Sequence, residues 1–127
     1  MKQHITVNQM KEISDKELAK YMSLHFTHLL EAVCYYGADR PLGRDKLSEM
    51  SRMITIGKMI EIIDKKTEHH FIIDACLLKG NNYKNLGEGY GVSLRGKYHN
   101  KNFNYKELCD ALWEAIKYIL EVENETE

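Results

Sequence analysis

Residues His69 to Glu123 constrain the fold more than any other part of the chain. Phe71, Ile73, Ala75 and Leu77 alternate with His70, Ile72, Asp74, Cys76 and Leu78. Val92, Leu94 and Tyr98 alternate with Ser93, Arg95, Lys97 and His99. Side chains two apart share one face of a strand, so both runs read as half-buried strands, His69 to Lys79 and Gly91 to His99. The eleven-residue polar connection between them is rich in Gly and Asn, which tolerate positive φ. From Tyr105 the period changes: Tyr105, Leu108, Cys109, Leu112, Ile116, Ile119 and Leu120 form one stripe of a helix, with Trp113 at its edge. Asn104 and Glu107 are its expected cap.

The front half supplies helices. Ser14 and Glu17 form a capping-box pair, and Leu18, Met22, His25, Leu29, Ala32, Val33 and Tyr36 then gather on one face. Gly37 and Pro41 end that helix. A second helix is expected from Asp45 to about Lys66, with Gly57 admitting close approach of another backbone. Residues 1–13 carry a short alternation, Ile5 and Val7, suited to an edge strand or arm; the tail from Glu123, and 124–127 above all, is expected to fray. The order helix, helix, strand, strand, helix predicts a single α+β domain over residues 1–127, with helices on one face of a small antiparallel sheet. Two strands alone are marginal, so a third is expected from residues 4–8 or from a partner chain.

Composition narrows the class. The chain has 127 residues, 43% hydrophobic and 29% charged, with a single Pro, as a globular domain of ordinary size requires. No apolar run approaches a membrane span, and the N-terminus is too polar for a signal peptide, so the expected location is the cytoplasm. Cys34, Cys76 and Cys109 have no metal-binding spacing and sit among apolar neighbours, as reduced buried thiols do.

Charge is uneven. Residues 69–104 balance at +3, through Lys79, Lys84, Arg95, Lys97 and Lys101, whereas residues 105–127 balance at −5. A basic hairpin beside an acidic helix suits an anionic ligand or self-association, and it also describes an ordinary solvated surface. In the expected register the paired residue numbers sum to 169, setting Leu77 opposite Val92, Asp74 opposite Arg95, Cys76 opposite Ser93 and His70 opposite His99. The candidate binding residues are therefore Arg95, Lys97, His99 and Asp74 on the outer face, with Lys84, Asn82, Tyr83 and Tyr90 in the loop.

Other chemistry is thinly represented. His25, His28 and Glu31 have the spacing of ligands along one helix side, but no second helix offers a matching pair, and His25 falls within the apolar stripe. No metal or cofactor is expected. The run "GEGYG" stands before a strand, so no helix N-terminus is aimed at a phosphate. No convergent nucleophile, base and oxyanion set is legible, which leans away from an enzyme.

The strand "GYGVSLRG" followed by "YKELCDALWEAI" resembles the C-terminal half of small phage- and prophage-encoded α/β sandwich proteins. The resemblance spans about the last 55 residues and implies a phage accessory setting, with action on a host component. The expected function is a non-enzymatic binding or inhibitory protein, working as a homo-oligomer, with a dimer favoured. The alternatives are a nucleotide- or RNA-binding module using the basic hairpin, and a metal-dependent enzyme using His25 and His28.

Overall fold

The structure, a computed structural model, describes residues 1–14, 17, 51–79 and 85–125. In chain order these form α1 (Val7–Met10), α2 (Ile56–Lys66), β1 (Phe71–Lys79), β2 (Asn85–Leu94), a 3₁₀ turn (Gly96–Tyr98), β3 (Asn102–Tyr105) and α3 (Leu108–Glu125). The strands make one antiparallel sheet in the order β1-β2-β3. With α3 lying across β2 and β3 and against α2, the fold is α+β. Its core is a single cluster in which Trp113, Tyr98, Ile5, Met10, Ile54, Met59, Ile63, Leu94 and Leu112 are fully buried.

The N-terminal segment is not a strand of that sheet. His4 makes one bridge with Thr55; the Ile5 N–H donates to the Ile54 carbonyl (3.3 Å) and the Ile56 N–H to the Gln3 carbonyl (3.0 Å). A capping box then takes over: the Gln9 N–H donates to the Thr6 hydroxyl (3.1 Å), and the Thr6 N–H to Gln9 Oε1 (2.9 Å). This reciprocal pair satisfies two amides that a helix start leaves open, and it turns the chain into α1. The third strand is β3, whose Asn104 and Tyr105 the sequence assigns to the start of the last helix.

The helix expected from Asp45 to Lys66 is interrupted. Thr55 is extended (φ −89°, ψ 164°), and its hydroxyl accepts the Lys58 N–H at 3.2 Å, so α2 begins afresh at Ile56. The β-branched run Ile54-Thr55-Ile56 favours the extended step. Gly57 meets no close backbone; a Cβ there would enter open space. The Ser14–Glu17 pair is present, with the Glu17 N–H donating to Ser14 Oγ at 3.1 Å, while the rest of the first helix lies outside the described residues.

The hairpin is offset from its expected register. Phe71 faces Leu94, Ile73 faces Val92, Ala75 faces Tyr90 and Leu77 faces Glu88, four residues from the expected pairing but of the same parity. Asp74 therefore faces Gly91 rather than Arg95, Cys76 faces Gly89 rather than Ser93, and His70 and His99 belong to neither strand. The reason lies in the glycines. A Cβ on Gly89 would stand 2.6 Å from the Tyr105 carbonyl oxygen and 2.8 Å from Leu78 Cγ. At Gly91 it would lie 2.7 Å from Asp74 Oδ1 and 2.8 Å from Asn104 Oδ1. Gly89 reads as loop and Gly91 as the first residue of a strand; both are strand positions where neighbouring groups close over a bare backbone.

Strand ends are set by backbone conformation. Glu68 (φ 53°) and His69 (φ 73°) turn the chain out of α2, so β1 starts at Phe71 rather than His69. Gly96 (φ 69°), His99 (φ 59°) and Asn100 (φ 54°) do the same after Leu94. The last helix starts at Leu108 because β3 holds the chain as far as Tyr105. It runs to Glu125, and the Glu123 carboxylate meets Lys66 Nζ at 2.8 Å.

Tyr98, expected on a strand, is buried from the 3₁₀ turn instead. Burial first, and then the nearby Glu123 carboxylate, push its phenol pKa from 10 up to about 12. Because the folded value is the higher, this tyrosine's contribution is intact below pH 10 and is lost as pH rises towards 12. Wild type should thus lose on the order of 2–3 kcal/mol more than Tyr98→Phe across that interval. Urea titrations of both proteins at pH 9 and pH 11.5 would measure it; parallel losses would contradict the assignment.

Candidate functional site

The residues singled out from the sequence do not share one surface. Lys84, Asn82 and Tyr83 lie outside the described residues, as do His25 and His28. Asp74 is exposed on the open face of the sheet, leaning with Asn104 over Gly91. Tyr90 is half-buried in a cleft of about 620 Å³ that it shares with Met1, Leu77, Glu88, Lys106 and Glu107. Arg95, Lys97 and His99 alone stay together, on the turn that joins β2 to β3.

That turn is held from several directions. The Leu94 N–H donates to the Lys101 carbonyl at 2.7 Å and closes the connection, while the His99 N–H donates to the Gly96 carbonyl at 3.1 Å. The Arg95 N–H donates to the His70 carbonyl at 3.0 Å, tying the turn to the start of β1. His70 Nδ1 stands 3.8 Å from the position a Cβ on Gly96 would occupy. The 3₁₀ turn spans Gly96–Tyr98, and His99 follows it as a left-handed cap (φ 59°). His70, Arg95 and His99 are all exposed, and the backbone bond from Arg95 to His70 brings the start of β1 beside the turn at Gly96.

The side towards α3 is aromatic and basic. Lys97 Nζ lies 5.2 Å from the centroid of the Tyr98 ring, and Lys101 Nζ lies 5.6 Å from that of Tyr118. The Tyr98 and Tyr118 rings meet edge-on at 6.5 Å, with Phe103 5.9 Å from Tyr118. Such cation–ring contacts fix the lysine stems while leaving the ammonium groups in water.

Beyond Tyr118 lies a second cleft, of about 460 Å³, which the sequence reading missed. Glu12, Glu17, Glu114, Glu121 and Lys117 line it, with Ile13, Phe103 and Tyr118 as its apolar part. Lys117 Nζ reaches Glu114 Oε1 at 2.7 Å and Glu12 Oε1 at 3.1 Å. Burial alone would lower the ammonium pKa, but the two carboxylates outweigh it and hold Lys117 above its ordinary value. The spacing of Glu114, Lys117 and Glu121, three and seven apart, already put them on one helix face; the contribution of Glu12 and Glu17 is non-local.

Among the described residues, no group of three or more His, Cys, Asp or Glu is placed to hold a metal ion, and no helix is long and apolar enough to cross a membrane. Burial pushes the Cys109 thiol up to about 11, which suits packing rather than nucleophilic chemistry. No family model, no curated protein and no solved structure matches this chain.

Proposed function

We propose that the chain is a non-enzymatic binding protein that holds a small anionic ligand at the turn between β2 and β3, and that it works as a homo-oligomer, a dimer being favoured. The observation that carries this reading is the exposed Arg95, Lys97 and His99 on one hydrogen-bonded turn, which the Arg95–His70 backbone bond ties to the exposed His70. A guanidinium offers a planar fork of donors that matches phosphate or carboxylate, and a turn already fixed loses little freedom when it binds. A small ligand is favoured over RNA because Tyr90 stands in a separate cleft with Leu77, and the Tyr98 and Tyr118 rings beside the basic groups already carry Lys97 and Lys101.

The resemblance of the C-terminal half supports a phage accessory protein in the host cytoplasm, acting on a host component. The test is thermal denaturation with inorganic phosphate, a panel of nucleotides and a short RNA. A ligand that binds only the folded state raises its Tm. A nucleotide is expected to do so, and Arg95→Ala to abolish the shift while barely moving the ligand-free Tm, since the Arg95 side chain is exposed and its backbone bond to His70 survives. Asp74→Ala should leave the shift unchanged, because Asp74 faces Gly91 and not Arg95. A shift that persists in Arg95→Ala, or none with any ligand, would remove this reading.

A further inference from the structure

We propose that the acidic cleft on α3 is the docking site for the Lys97–Lys101 side of the turn from a second copy of this chain, so that two copies associate reciprocally about a two-fold axis near Tyr118. This rests on the homo-oligomer reading and names the surface that would carry it.

The argument begins with charge. Four glutamates and one lysine leave the cleft at −3, and Lys117 already serves two of those carboxylates. Glu121 is exposed and Glu12 largely so, and neither Glu17 nor Glu114 is buried, so the cleft opens a negative field to solvent. Lys97 and Lys101 present two exposed ammonium groups a short way off. Tyr118 joins the two surfaces: its ring lies beneath Lys101 on one side and lines the acidic cleft on the other.

An isologous interface uses the same patch twice, so the patch must be complementary to itself. A surface with a positive half and a negative half, side by side, meets that condition, since a two-fold rotation between the halves sets each against its opposite. Phe103 and Tyr118, both half-buried, would then meet their counterparts near the axis. That arrangement gives an aromatic centre and a charged rim, the usual anatomy of a specific interface. A free cationic peptide could meet the acidic half alone; only a second copy also satisfies the adjacent basic half.

The prediction is a salt-sensitive dimer. Sedimentation equilibrium of the wild-type chain should show dimer at micromolar concentration in 50 mM salt, with association weakened at least about tenfold in 0.5 M salt as the exposed charges are screened. Lys97→Glu with Lys101→Glu, and separately Glu114→Lys with Glu121→Lys, should each give monomer, and an equimolar mixture of the two variants should regain the dimer. Circular dichroism melts would establish that both variants fold; if loss of the Glu114–Lys117 pair unfolds the second, Glu121→Lys alone takes its place. A wild-type monomer at high micromolar concentration would overturn this inference and the homo-oligomer reading together. A wild-type dimer that ignores salt, survives both charge reversals, or is not regained on mixing would overturn this inference alone and leave self-association to another surface.

Discussion

Trp113→Ala is expected to cost about 3–5 kcal/mol, the range for removing a large aromatic side chain from a close-packed interior. Trp113 is wholly buried, and its indole Nε1 donates to Glu12 Oε1 at 3.2 Å. Truncation would open a cavity under the N-terminal segment and take a donor from a carboxylate that Lys117 also contacts. A domain of this size has only about 5–15 kcal/mol of net stability, so a large part would disappear. Trp113→Phe keeps most of the volume and loses the hydrogen bond, for about 1–3 kcal/mol. Urea unfolding of the three proteins measures both losses; an alanine variant within 1 kcal/mol of wild type would show that the site collapses far better than its packing suggests.

Leu112→Ala is the next largest expected effect, about 2–5 kcal/mol for a fully buried leucine on the same helix. Two residues on, Glu114→Ala should cost no more than about 1 kcal/mol: Glu114 is partly exposed, and its pair with Lys117 is an i,i+3 contact near solvent. The contrast tests the rotation of α3 about its axis. Similar losses at the two positions would mean that the apolar stripe had been set on the wrong side.

The parts of the fold legible in the sequence are those that a local period decides. The stripe of Cys109, Leu112, Ile116, Ile119 and Leu120 is buried as its spacing implies, and Val92 and Leu94 face the core. Trp113 reads as an edge residue because its hydrogen-bond partner, Glu12, comes from the far end of the chain. Parity of the hairpin was readable and its offset was not, since alternation is unchanged when a strand slides by two residues. Asn104 and Tyr105 read as the cap and first turn of the last helix because asparagine favours caps and Tyr105 continues the stripe, yet they pair with β2 in an edge strand. The candidate site divides the same way. Arg95, Lys97 and His99 are neighbours in sequence and remain together, whereas Asp74 joins them only in a register the chain does not adopt, and Tyr90 reads as loop but lies in β2.

The bare backbone at Gly89 and Gly91 has a consequence for how the hairpin finds its partner positions. A nascent pair of strands can meet in several alignments two residues apart, each burying a plausible apolar face. Sliding to the sum of 169 would set Ser93 against Cys76 and Arg95 against Asp74, bringing side chains where the native alignment has Gly89 and Gly91. Only the native alignment puts both glycines beneath the groups that crowd them, the Leu78 side chain and Tyr105 carbonyl at one, Asp74 and Asn104 at the other. The two glycines thus work as the notches of a key: they add almost nothing to the attraction between strands, and they reject the alignments that attraction alone would accept.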